Sequence, residues 1–212
     1  MTMALEKIAY LPFAIIVDKW RWGVFNGSVP ADQYNTRWWQ LRKQYQGIVP
    51  PIQREATDFD PASIYHVSAD VSYIRYFLAY IVQFQLYASL CRHADHVGPL
   101  HKCDIYNSTQ AGEVFGRMLS MGISRPWPEA MNVVTGQRHF DGEALMDYFR
   151  PLTDWLSEKN RQNGDQPGWP DSDWMPPLPP GWSSGVSSEL APSLLTLLCV
   201  SVVVTILHLK LN

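Results

Sequence analysis

Residues 91–103, CRHADHVGPLHKC, bring together two cysteines, three histidines and an aspartate, all of them groups that zinc accepts as ligands. His93 and His96 stand three apart and can share a helical face, while Cys91, His101 and Cys103 supply further donors. A structural zinc site normally also brings a closely spaced cysteine pair, and the chain contains no C-x-x-C. In an oxidising compartment the simpler product of Cys91 and Cys103 is a disulfide closing a short loop around Gly98 and Pro99, stabilising by roughly 3 kcal/mol. Elsewhere no two histidines stand four apart and none precedes a glutamate, so H-E-x-x-H is missing, and no glycine-rich phosphate loop appears. From residue types and spacing alone, no complete active site emerges, and no metal site is expected on this chain.

The elements that would carry such groups read as helices, giving an all-α chain. Residues 3–24 form a helix interrupted or kinked at Pro12; Pro30 opens the next over 31–46, and Gly47 stops it. Asp70 is expected to N-cap a long helix over 71–92, where Ile74, Phe77, Leu78, Ile81 and Val82 recur at helical spacing. Tyr73, Tyr76, Tyr80, Phe84 and Tyr87 make a second stripe, so this helix is expected to be buried, and Ser72, Gln83, Gln85 and Ser89 favour protein over lipid around it. Further helices are predicted over 109–121 and 128–135, ending at Gly122 and Gly136, and over 143–160 with a kink at Pro151. Residues 166–189, rich in proline and tryptophan, read as an extended stalk after a helical portion over 1–165.

A net charge of -3 and the absence of any Lys/Arg run exclude nucleic acid as a partner. The 9 Trp, 10 Tyr and 8 Phe require large aromatic contacts or aromatic-lined clefts. Asn26-Gly27-Ser28 and Asn107-Ser108-Thr109 are glycosylation acceptors if the chain is secreted. Residues 190–209, LAPSLLTLLCVSVVVTILHL, are apolar over a bilayer-spanning length. They read either as a single-pass anchor or, behind the small residues Ser183, Ser184, Gly185, Ser187 and Ser188, as a lipid-anchor signal. Both place the preceding chain at the extracellular face of the plasma membrane. The first residues carry Glu6, Lys7, Asp18 and Lys19 and do not read as a secretory leader, so the expectation is of one piece of a longer protein.

The segments ALEKIAYLPF, VDKWRWGVFNG, RWWQLRKQYQG, DFDPASIYHVSADVSYIRYF, GPLHKCDIYNS, SRPWPEAMNVVTGQ and YFRPLTDWL resemble, in order, the C-terminal part of the angiotensin-converting enzyme family. The resemblance implies a mainly helical zinc peptidyl-dipeptidase domain with a deep cleft, acting on peptides with a free C-terminus and activated by chloride. It implies that His66 and Tyr76 donate to the substrate carbonyl and its tetrahedral intermediate, and that Tyr73 holds the substrate carboxylate. Tyr10, Phe13 and Tyr80 would line the pocket for the final substrate side chain, with Lys7 at its edge. Arg75 would bind one chloride, Trp38 and Arg42 the other, and Cys91 and Cys103 fall on a family disulfide.

Two departures qualify the expectation. The family's carboxylate-binding lysine, two residues before the histidine, is Ile64 here; losing one partner of a buried charge pair costs about 2 to 5 kcal/mol. The family's zinc ligands would lie upstream of Met1, so this chain alone is expected to be inactive. The alternative expectation is a catalytically inactive cell-surface homologue that binds peptides or another partner.

Overall fold

A computed structural model describes residues 1–55 and 57–169. Among these residues the regular structure is helical throughout, as the periodicity predicts. The described residues divide into two compact units, 1–77 with 156–169, and 78–155.

The first unit holds α1 (Thr2–Lys7), α2 (Tyr10–Phe25), α3 (Tyr34–Gln46), the single turn α4 (Tyr65–Ser68) and the start of α5 (Ile74–His93). Pro12 does not kink a continuous helix. The chain breaks between Lys7 and Tyr10, and Pro12 sits in the first turn of α2, where its missing N–H would have had no partner within the helix. Pro30 leads into a short 3-10 turn, Ala31–Gln33, before α3. Gly47 closes α3 with φ 65°, a left-handed conformation open to glycine at little cost, and its N–H bonds the Lys43 carbonyl at 2.9 Å.

Apolar positions of α2 recur at helical spacing, and Ala14, Ile16, Val17 and Trp20 meet Trp38 and Leu41 of α3, together with Tyr73, in one buried cluster. Each large side chain there contributes about 1.5 to 3 kcal/mol by leaving water. Trp20 lies edge-on to Trp38 at 6.3 Å between ring centres, and its indole N–H donates to the Tyr34 carbonyl at 2.8 Å. A second 3-10 turn, Asp60–Ser63, hangs on α3: the Asp60 carboxylate accepts from Trp39 Nε1 at 2.7 Å and Asn35 Nδ2 at 3.0 Å. The Asp60 N–H returns a bond to Asn35 Oδ1 at 2.8 Å. This turn runs directly into α4 and so sets where α4 begins.

Asp70 is not the cap of α5. It is exposed, adopts φ 52°, and α5 starts only at Ile74. The expected two-sided burial of this helix is also only partial: Ile81, Phe84, Gln85, Ser89, Leu90 and Cys91 are buried, whereas Tyr76, Phe77, Leu78 and Tyr80 remain half-exposed.

The second unit contains the remainder of α5, α6 (Thr109–Ser120), α7 (Trp127–Thr135) and most of α8 (Glu143–Asn163), which runs through Pro151. Ser108 caps α6 by accepting from the Ala111 N–H at 3.3 Å, and Leu90, Ala111, Val114 and Val134 form the core. Ser89 Oγ donates to the Val134 carbonyl at 2.5 Å, tying α5 to α7. Cys91 and Cys103 are joined in a disulfide, as expected, with Cα atoms 6.1 Å apart. Both thiols of the opening motif are thereby used, and among the described residues no group of three His, Cys, Asp or Glu side chains is placed to hold a metal.

No helix among the described residues is long and apolar enough to cross a membrane. The apolar segment 190–209 and residues 170–189 of the stalk lie outside the described residues.

Candidate functional site

The residues singled out around position 70 converge within the first unit. α4 presents His66, the first turn of α5 presents Tyr76, and Tyr73 lies at the entry to α5. His66 Nε2 is 2.9 Å from the Tyr76 hydroxyl although ten residues separate them. The imidazole stands edge-on to both tyrosines, 4.8 Å from the Tyr73 ring centre and 5.3 Å from that of Tyr76. His66 and Tyr76 are half-buried, and Tyr73 is buried. The guanidinium of the exposed Arg75 lies over the Tyr76 ring at 5.1 Å, with Nη2 3.4 Å from its hydroxyl.

An aromatic wall continues from this trio into α2. The Tyr10 hydroxyl donates to the Tyr73 hydroxyl at 2.7 Å. Phe13 meets Tyr73 edge-on at 5.6 Å and Trp38 edge-on at 6.4 Å. Arg42 lies over Phe13 at 5.1 Å and Trp38 at 5.9 Å, donates to Gln46 Oε1 at 2.6 Å, and has its pKa lowered by burial among these rings. Lys7, in α1, pairs with Glu6 at 2.8 Å. Tyr80 belongs to the second unit and is half-buried there.

What the motif reading missed is the pair that holds this constellation. Asp18 and Arg21, three apart on α2 and exposed by only 2% and 5%, form an ion pair at 2.6 Å. Asp18 Oδ2 accepts the N–H groups of Tyr73 and Ile74 at 2.7 and 2.6 Å, giving α5 the cap that Asp70 does not supply. Arg21 donates to the carbonyls of His66 at 3.1 Å and Val71 at 2.6 Å. The available signal was local: an aspartate and an arginine one helical turn apart amid the apolar run YLPFAIIVDKWRWGVF, where unpaired charges would be costly to bury.

Zinc does not fit the described residues. Around His66 the close side chains are tyrosines, both Asp18 oxygens are committed to hydrogen bonds, and the other site residues offer no second carboxylate, thiolate or imidazole. Ile64 is half-buried and packs against the apolar cluster, so the position two before His66 provides contact area and no charge.

Residues 1–169 match the family model described as angiotensin-converting enzyme. Angiotensin-converting enzyme of Mesocricetus auratus is 53% identical over 176 residues, covering 83% of this chain and 13% of that protein. The angiotensin-converting enzyme-like protein Ace3 of Mus musculus is 50% identical over 169 residues, 80% of this chain and 23% of the relative. Angiotensin-converting enzyme of Theromyzon tessulatum is 41% identical over 175 residues, 82% of this chain and 28% of the relative. The chain thus spans a small part of the length of the curated relatives it matches. With a family model that matches most of its length and relatives at half identity, this chain belongs to the angiotensin-converting enzyme family.

Proposed function

We propose that this chain forms the part of a zinc peptidase that holds the scissile carbonyl and the C-terminus of a peptide, with the zinc ligands outside the described residues. The observation that carries the reading is the 2.9 Å hydrogen bond between His66 Nε2 and the Tyr76 hydroxyl, which holds two groups able to donate to a carbonyl together beside a buried tyrosine. Attack on a peptide carbonyl builds negative charge on its oxygen, and donors already in place stabilise that charge without reorganising. One such donor typically contributes about 3 to 4 kcal/mol. Zinc, where the rest of a family domain holds it, polarises the carbonyl and activates water.

The other residues divide the substrate between them. The Tyr73 hydroxyl, accepting from Tyr10, donates to the substrate carboxylate. Tyr10 and Phe13 face the last substrate side chain, with Lys7 at the edge of that pocket as the family resemblance implies. Arg75 beside Tyr76, and Arg42 beside Trp38, are the chloride ligands of this reading; a bound anion at Arg75 would orient the Tyr76 hydroxyl. The product is a dipeptide released from the C-terminus. The disulfide and the exposed sequon residues Asn26 and Asn107 suit an extracellular setting, with residues 190–209 as the membrane anchor or lipid-anchor signal.

A second reading, a surface homologue that binds peptides without cleaving them, is favoured by Ile64, which leaves the substrate carboxylate no ammonium at that position. One chimera separates the two. Residues 1–169 of this chain replace the matched segment within the Mesocricetus auratus relative, and dipeptide release is measured. The expected result is activity that His66→Ala or Tyr76→Phe lowers about 100-fold to 1000-fold in kcat, and that Ile64→Lys raises through a lower KM. An inactive chimera that still binds peptides supports the second reading.

A further inference from the structure

His66 and Tyr76 lie at opposite ends of a loop that has little to hold it from within. The loop is short, its one acidic residue before α5, Asp70, is exposed, and α5 has no cap from its own neighbouring side chains. The long-range anchoring of its backbone comes from two side chains of α2, while Tyr10 of the same helix holds the Tyr73 hydroxyl. Asp18 divides its oxygens: Oδ1 takes Arg21 Nε and Nη2 at 3.1 and 2.6 Å, and Oδ2 takes the N–H groups of Tyr73 and Ile74. Arg21 divides its nitrogens between Asp18, the His66 carbonyl and the Val71 carbonyl. The backbone adds only short-range closures of its own: Val71 N–H to the His66 carbonyl at 2.8 Å, Asp70 N–H to the Val67 carbonyl at 3.3 Å and Tyr76 N–H to the Tyr73 carbonyl at 3.0 Å.

We propose that Asp18 and Arg21 are positioning residues, acting through the backbone of residues 66–74 to fix the His66 imidazole against the Tyr76 hydroxyl and the Tyr73 ring. A carboxylate that accepts two helix N-terminal N–H groups sets where α5 begins, and hence the direction in which Tyr76 leaves its first turn. A guanidinium on the His66 carbonyl sets the height of α4. One rigid fork thus references both donors to the same turn of α2. The capped N-terminus has a second consequence. Because Asp18 already occupies the N–H groups of Tyr73 and Ile74, α5 does not offer them to an anion, and a substrate carboxylate is left to the Tyr73 hydroxyl. The use of this positioning rests on the reading of His66 and Tyr76 as carbonyl donors; its geometry does not.

The test uses the full chain with labelled histidine, reading the His66 ring nitrogens by NMR and amide exchange at Tyr73 and Ile74. Tyr76→Phe defines the signal of an unpaired His66. Arg21→Lys keeps the charge beside Asp18 but cannot reach both carbonyls, and it is expected to move the His66 signal most of the way to the Tyr76→Phe position. Asp18→Asn is expected to speed exchange at Tyr73 and Ile74 by at least about 10-fold. Leu41→Ala, in the same core, lowers Tm without moving the His66 signal. An unmoved His66 signal in Arg21→Lys overturns the proposal, as does an equal movement in Leu41→Ala. So does an Arg21→Lys chain that fails to fold where Leu41→Ala folds, since the pair would then serve the whole fold.

In the active chimera, Arg21→Lys is expected to lower kcat about 10-fold to 100-fold with KM nearly unchanged. A moved signal with unchanged kcat supports the positioning and refutes the donor reading of His66 and Tyr76.

Discussion

Replacing Cys91 and Cys103 together with alanine tests how much of the second unit depends on its one covalent closure. The bond spans a sequence separation of 12, and the loop-entropy relation for a loop of that size gives about 3 kcal/mol at 25 °C. The end of the loop is also held without covalent help, because the Tyr87 hydroxyl donates to the Cys103 carbonyl at 2.6 Å. That bond alone is expected to contribute about 1 kcal/mol, and since both act on Cys103, Tyr87→Phe and the double alanine change should not be additive. Burial, followed by the neighbouring Tyr148 and Asp104, raises the Tyr87 pKa, which favours the protonated, donating phenol. A raised pKa contributes stability that is present below the unfolded value and is lost as pH climbs through the folded one. Urea unfolding followed by amide exchange in Leu78–Trp155, against the first unit as internal reference, reads all three effects. A loss below about 1 kcal/mol for the double alanine variant refutes the reasoning. So would a loss that appears equally in the first unit, since the loop would then not be what the disulfide constrains.

Two further outcomes follow from single contacts. A methyl group added at Gly47 would lie 2.6 Å from the Trp169 ring at a φ of +65°, so Gly47→Ala should cost more than about 1 kcal/mol, and urea titration with Trp169 fluorescence checks it. Glu158 has its pKa lowered by hydrogen bonds from Arg161 and then Gln162. Its contribution is therefore complete above the ordinary glutamate value and lost as pH falls below it through the folded value, which acid-induced fraying of the last turn of α8 in exchange experiments should show, and Glu158→Gln should abolish.

The helices were largely legible because their signals are local. Gly47, Gly122 and Gly136 stop helices within one turn of where they stand, the apolar spacing in α2 and α5 is a property of neighbouring residues, and Ser108 caps the helix that immediately follows it. Pro12 was misplaced by the same local logic, because a proline inside an apolar run cannot say whether it kinks a helix or opens one. The disulfide was legible from cysteine arithmetic and a short loop containing Gly98 and Pro99.

The roles proposed for His66, Tyr76 and Tyr73 rest on resemblance to a family; nothing in their spacing distinguishes a donor pair from an aromatic stripe on a core helix. The chain order determined which helices form, the Cys91–Cys103 pairing and the apolar face of α2. Only the tertiary structure decided that Asp18, rather than the adjacent Asp70, caps α5 from 55 residues away, and that Arg21 holds the far end of the same loop. The physical reason is that a cap needs an acceptor in the right place, not in the right sequence position. Burial on α2 supplied one already charged, paired and immobile, while Asp70 stayed in water.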